Sequence, residues 1–327
     1  MLAPRDLGLI LSYRCQCACK HCLYACGPGW KEWMTLEVAR EAVQAMKHWQ
    51  HRFQVHLTGG EPFLNLELLC QAARILAEAA IPQYVETNAG WCTDAGKTRE
   101  WLEEVRRAGV GAILISCSPF QAEHIPLRRA LVAIEQALQV FGPNGVIVYQ
   151  THCIRQVAQF SVDEVVPLEA YVERYGKDAA GRIFWDEYSL IGAGRSSYAL
   201  GHLSRKYPAE HFRGETCAHE LLHPHHSHFD LYGNHISWFC GGLRVGDWRR
   251  LAQTLNDFAG GNFPPLIQVL VTQGPWGLLA VAQKEYHYRR RPEGYTSKCH
   301  LCTDLRRHLV QLEDFPELQP RQFYEML

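Results

Sequence analysis

Between residues 7 and 195, short apolar runs alternate with helical patterns, and this alternation leaves the chain few folds to choose from. LGLILS (7–12), FQVHLTGGEP (53–62), QYVETNAG (83–90), VGAILISCS (110–118), GVIVYQTHC (145–153) and GRIFWDEYSLIGAGR (181–195) read as strands, several of them running into turns. Between them, TLEVAREAVQAMKHW (35–49), LELLCQAARILAEA (66–79), DAGKTREWLEEVRRAG (94–109), PLRRALVAIEQALQVFG (126–142) and SVDEVVPLEAYVERYG (161–176) carry apolar residues at helical spacing. Thr35 is placed to cap the first helix, Gly109 and Gly142 to close the third and fourth, and Pro167 to confine the fifth. Six strand–helix units imply an α/β fold, a parallel sheet covered by helices. Six are too few for the eight-fold barrel, which leaves a doubly wound sheet or a partial barrel.

The second constraint is the cysteines. Thirteen occur in 327 residues, and five of them fall between positions 15 and 26. The start, MLAPRDLGLILSYRC, has too short an apolar run for a signal peptide, and no stretch reads as a membrane-spanning segment of ~18 apolar residues. A net charge of −1 points to neither a nucleic-acid nor a membrane partner. The expectation is a soluble cytoplasmic protein, and in a reducing compartment clustered cysteines are metal ligands or catalytic groups rather than disulfides.

Cys15, Cys19 and Cys22 are spaced C-x3-C-x2-C. Three thiolates on one loop suit a cubane iron–sulfur cluster with one iron left open. A structural zinc site wants four ligands, which Cys17 or Cys26 could complete. The loop by itself leaves both open.

At this point the sequence resembles the radical S-adenosylmethionine (radical SAM) enzymes, whose hallmark is three cysteines at this spacing after the first strand, here Cys15, Cys19 and Lys20-His21-Cys22. TGGEP (58–62) resembles the family's Gly-Gly-Glu-Pro turn. ETNAG (86–90) resembles its Thr-Asn-Gly element with Ala89 inserted. ISCS (115–118) lies where Ser-x-Asp is common, with Ser118 in place of the acid, and IGAGRS (191–196) resembles the glycine–arginine turn. All lie at the carboxyl ends of the expected strands, where parallel sheets bind ligands. The resemblance covers about residues 7–200. It implies a partial (β/α)6 barrel over residues 1–203. It also implies a 4Fe–4S cluster on Cys15, Cys19 and Cys22, and S-adenosylmethionine held by Gly59, Gly60, Glu61, Thr87, Asn88, Ser116, Ser118 and Arg195. Gly59 and Gly60 would let backbone approach the ligand, Glu61 would accept from an ammonium group and Arg195 would pair with a carboxylate.

From residue 204 to 327 the pattern changes to His-, Gly- and aromatic-rich sequence, then an apolar segment (264–286) interrupted at Gly274-Pro275. Cys217, Cys240, Cys299 and Cys302 lie here, and the region resembles the small twitch or SPASM-like auxiliary-cluster domain of many radical SAM enzymes. That implies a second 4Fe–4S cluster, fully ligated by protein; a zinc ribbon would fit the same four cysteines. His219, His223, His225, His226, His228 and His235 crowd the same region without a clean ligand spacing.

The resemblance implies an oxidoreductase or epimerase that abstracts a substrate hydrogen, from a peptide or from a small molecule, with a flavodoxin- or ferredoxin-type electron donor. No N-terminal extension for a separate leader-peptide-binding domain is expected, so a peptide would need a groove between barrel and C-terminal domain or a separate binding protein. Epimerisation needs a thiol to return hydrogen, and Cys26, Cys117 and Cys153 are the candidates. Cys70 reads as core. The alternatives are a small-molecule dehydrogenase with the auxiliary cluster as electron acceptor, and a non-catalytic iron–sulfur or zinc binding protein.

Overall fold

The structure, a computed structural model, describes residues 4–47, 49, 51–223 and 225–327. They group into two compact units, one of Arg5–Cys19 with Cys26–Gly176, the other chiefly of Lys20–Ala25 with Lys177–Leu327.

In the first unit five strands form in the expected places: β1 (Asp6–Ile10), β2 (Gln54–Thr58), β3 (Gln83–Thr87), β4 (Ala112–Ser116) and β5 (Val146–Tyr149). They lie in the order β5-β4-β3-β2-β1, every pair parallel, with Leu7 opposite Val55, His56 opposite Tyr84, Val85 opposite Ile113 and Ile115 opposite Val148. The crossovers are helical: α1 (Leu36–Met46), α2 (Leu66–Glu78), α3 (Ala95–Arg107), then a short α4 (Pro119–Ala122) with α5 (Leu127–Phe141), followed after β5 by α6 (His152–Ala158) and α7 (Leu168–Tyr175). Their starts are written in the sequence. Thr35, Asn65 and Asp94 each accept a first-turn backbone N–H, which satisfies a donor that the helix leaves orphaned. Gly142, at φ 73°, ends α5, and α7 begins directly after Pro167.

The sixth expected strand does not form. Residues 177–182 are helix α8 (Lys177–Arg182), which continues into a π-helical turn over Ile183–Glu187. Ala180, Phe184 and Tyr188 are buried, and a spacing of four is the period of a helix face. An apolar run of this length is ambiguous between strand and helix, and here packing of that face decided it.

The second unit continues with α9 (Arg195–Ala199) and α10 (Ala218–Leu222), then an antiparallel hairpin of β6 (His226–Asp230) and β7 (Asn234–Ser237) with β8 (Gly246–Asp247) beside β7. The Asp230 carboxylate closes the hairpin by accepting from the Tyr232 and Asn234 amides and from Asn234 Nδ2. The unit ends with α11 (Leu251–Ala259), α12 (Pro265–Tyr286), α13 (Lys298–Leu312) and α14 (Gln322–Glu325). α12 corrects the expectation that no apolar stretch reaches membrane-spanning length. It has 22 residues, its most apolar window has a mean hydropathy of 1.3, and 56% of that window is buried. As its sequence suggests, Gly274 (φ 66°, ψ −166°) breaks it ahead of Pro275.

Candidate functional site

The carboxyl ends of β1, β2 and β3 are tied into one knot. The Gly60 amide donates to Ser12 O at 2.8 Å and the Glu61 amide to Arg14 O at 2.9 Å. A Cβ at Gly59 would stand 2.1 Å from Ser12 O, and one at Gly60 would stand 1.9 Å from Arg14 O. The two glycines are therefore required by the backbone that leads into Cys15.

Glu61 is buried, and its carboxylate accepts from Thr87 Oγ1 (2.8 Å), the Asn88 amide (2.8 Å) and the Phe63 amide (3.2 Å). Burial pushes its pKa up to about 7 against the pull of those three donors. Thr87 Oγ1 also accepts from the Ala89 amide and from Trp91 Nε1, which uses its full hydrogen-bonding capacity. Trp91 in turn stacks on Phe63 at 4.1 Å. Asn88 Oδ1 accepts from Gln16 Nε2 and the Gly90 amide, both at 2.8 Å, and Asn88 Nδ2 lies 3.4 Å from Cys15 Sγ.

Cys15 Sγ also receives the Cys17 amide at 3.4 Å. The hydrogen bond with the Cys17 side chain, and then burial, hold the Cys15 thiol well above its ordinary range. Cys17 interacts with both Cys15 and Cys19, so three thiols converge in this unit. Cys17 is a neighbour of the cysteine motif that the spacing alone does not single out. Several thiols gathered on one short loop are the donor set that an iron–sulfur cluster takes. The residues fit a metal cluster on these grounds.

Beyond β4, Ser116, Cys117 and Ser118 line one small pocket with Asn88, Gln121 and Ile125. Cys117 follows Ser116, the last residue of β4, and lines the same pocket. Ser118 Oγ donates to Gln121 Oε1, and burial pushes the Cys117 thiol up to about 12. Cys26 is buried. Cys153, expected at a strand end, lies instead in α6, fully buried, with Sγ 3.9 Å from Gln150 Oε1 and 3.7 Å from His152 Nε2.

In the second unit the Arg195 amide donates to Cys22 O at 3.1 Å, and Arg195 Nε donates to Met326 O at 3.1 Å. Gly194 has φ 59°, and a Cβ there would meet Cys22 O and Leu23 O, both at 2.7 Å. The glycine–arginine turn thus packs on the chain just after the third cysteine of the motif.

Cys217 immediately precedes α10, Cys240 lies in the turn after β7, and Cys299 and Cys302 sit one helical turn apart near the start of α13. Spacing i,i+3 puts the last two on one face. The four thiols come together: burial first, then the charges of the others, raises Cys217 and Cys240, and burial with Cys302 pushes Cys299 up to about 12. Ser297 caps α13 by accepting from the His300 amide, and Asp304 pins the helix by accepting from Tyr198, Tyr288 and Arg291. Four sulfurs fit either zinc or an iron–sulfur cluster, and the Glu220 carboxylate is near enough for its charge to raise Cys240 and Cys299. Of the histidines, His228 Nδ1 lies 2.8 Å from Tyr24 Oη and its Nε2 lies 3.2 Å from His226 Nε2, while His235 is buried and pushed down to about 4 by burial.

Residues 9–140 match the family model described as the Radical SAM superfamily. Among curated proteins, YydG of Bacillus subtilis (strain 168), provisionally named for peptide biosynthesis, is 24% identical over 121 residues, 37% of this chain. The match spans 38% of that protein's length. Among solved structures, BtrN in complex with AdoMet and 2-DOIA aligns over 82% of this chain and 87% of its own, at 11% identity and a TM-score of 0.47. Streptococcus suis SuiB bound to S-adenosylmethionine aligns over 90% of this chain and 77% of its own, at 13% identity and a TM-score of 0.41.

Proposed function

From the match of residues 9–140 to the Radical SAM superfamily model, we propose that the chain is a radical SAM enzyme that cleaves S-adenosylmethionine reductively and modifies a peptide by hydrogen abstraction. Cys15, Cys19 and Cys22 would hold a 4Fe–4S cluster, which would supply the electron for reductive cleavage of bound S-adenosylmethionine. The remaining work belongs to the chain. Asn88 and the Cys17 amide orient the Cys15 sulfur. Gly59 and Gly60 set the close approach of the β2 turn to the cysteine loop. Glu61 fixes Thr87 and Asn88, and Arg195 positions the chain at Cys22. Ser116 and Ser118 hold part of the cofactor or substrate at the small pocket beyond β4. Cys117, on the same pocket, is the best placed of the three thiols considered for returning hydrogen in an epimerisation.

The observation that carries this reading is the knot of Glu61, Thr87, Asn88 and Cys15, which joins three sequence motifs within the matched domain. The peptide substrate rests on the name of YydG. The test is anaerobic reconstitution followed by reduction with dithionite in the presence of S-adenosylmethionine and candidate peptides. Deuterium uptake from heavy water at unchanged chemical composition supports epimerisation. A loss of two hydrogens supports oxidation.

We propose further that residues 204–327 form an auxiliary domain in which Cys217, Cys240, Cys299 and Cys302 hold a second 4Fe–4S cluster. A second reading, dehydrogenation of a small molecule with that cluster as electron acceptor, is favoured by one contact. A Cβ at Gly241 would lie 2.3 Å from Leu23 O, so the backbone beside Cys22 touches the backbone beside Cys240. An electron passing between the two would cross this contact through space.

A further inference from the structure

Arg306 lies on α13 one helical turn after Cys302, and it is 3% exposed. Its Nη1 donates to Gly241 O (2.9 Å) and Tyr324 Oη (3.1 Å), and its Nη2 donates to Thr303 Oγ1 (3.3 Å). Its Nε has no partner among the described residues. These three partners are neutral, and among the described residues no carboxylate pairs with the guanidinium; the Cys302 side chain is a further hydrogen-bonding neighbour. A buried charge without a counter-charge is costly, so a cation held in this way needs an anion nearby. Cys302 stands one helical turn before it on the same helix, the carbonyl it holds belongs to the residue after Cys240, and Tyr324 Oη is its direct partner, so these are the groups near it that can become anionic. Lys298, the other cation close to the cysteines, is different. It is partly exposed and already paired with Glu220 at 2.7 Å.

We infer that Arg306 is the built-in counter-cation of the four-thiolate centre, a positioning residue that lowers the cost of its negative charge. The inference rests on the reading that Cys217, Cys240, Cys299 and Cys302 hold a metal centre. A tetrathiolate cluster carries excess negative charge that grows on reduction, so a fixed cation near two of its ligands makes reduction easier. For tetrathiolate zinc the same cation would strengthen metal retention.

The test uses the reconstituted full chain with Arg306→Gln, which keeps polar contacts and removes the charge, and Arg306→Lys, which keeps the charge. Iron, sulfide and zinc are counted first, and the midpoint potentials of both clusters are then followed by electron paramagnetic resonance. The expected result is a lower potential for the auxiliary cluster in Arg306→Gln, a near-native potential in Arg306→Lys, an unchanged SAM-binding cluster, and a smaller shift in Lys298→Gln. Should the centre hold zinc, faster loss to a chelator in Arg306→Gln and not in Arg306→Lys supports the same role. Native potential or retention in Arg306→Gln overturns the inference. So does a shift in Arg306→Lys as large as that in Arg306→Gln, which assigns the effect to hydrogen-bond geometry; if Arg306→Gln does not fold, any marked shift in Arg306→Lys overturns it likewise. A wild-type chain with no metal on the four cysteines overturns the underlying reading and the inference with it.

Discussion

The side-chain amide of Asn88 points at the sulfur of Cys15, with Nδ2 3.4 Å from Sγ, while the Asn88 backbone amide is held by Glu61. A hydrogen bond to a metal-ligating sulfur orients the ligand and tunes the centre. Asn88→Ala is therefore expected to lower cluster retention or S-adenosylmethionine cleavage by about 10- to 100-fold. Iron per chain after desalting, together with the rate of 5′-deoxyadenosine formation, checks it. Native values in both would show the contact to be incidental.

Gly60→Ala is expected to destabilise the first unit. The added methyl would stand 1.9 Å from Arg14 O, a backbone atom that cannot rotate away. Overpacking of this kind costs about 1–3 kcal/mol, and the strain falls on the loop of Cys15. The expected result is a lower Tm and poorer iron incorporation. Gly96→Ala serves as a control, since the nearest atom there is the Asp94 side chain at 3.3 Å.

Glu61 gives a pH dependence with a definite sign. Burial raises its pKa from 4.5 to about 7 in the folded chain. Between those two values the folded state keeps a proton that the unfolded state has released, so this group's contribution falls as pH rises from about 4.5 to about 7 and is level above. Chemical denaturation of the metal-free chain at several pH values measures it. Glu61→Gln is expected to flatten the slope in that window, and an unchanged slope would contradict the assignment.

The cysteine pair on α13 is expected to account for one whole cluster. Cys299→Ala with Cys302→Ala should reduce about eight irons per chain to about four and leave the first cluster intact. About four irons in both proteins, with zinc in the wild type, would make the second centre structural.

Much of this was legible because the signals are local. The five parallel strands show as apolar runs between helical patterns, and the cap at Thr35 is a single residue acting on the next turn. The sixth run misled because Ile183, Phe184 and Trp185 read equally well in a strand, and only the burial of Ala180, Phe184 and Tyr188 shows a helix face. In the candidate site the motifs were legible and their interlocking was not. Nothing in the spacing says that Glu61 spends its oxygens on Thr87 and Asn88, or that Cys117 shares a pocket with Ser116 and Ser118. Of the four auxiliary cysteines only Cys299 and Cys302 are close in sequence. Their meeting with Cys217 and Cys240, and Arg306 near them, come from tertiary packing.

The central claim is reductive cleavage of S-adenosylmethionine at the cluster of the cysteine loop. The most direct measurement is 5′-deoxyadenosine formed by the anaerobically reconstituted, dithionite-reduced chain, beside Cys15→Ala, Cys19→Ala and Cys22→Ala. The account expects cleavage by the wild type and none above background in any of the three variants. Cleavage that survives their loss, or a wild type loaded with iron that produces none, would contradict it.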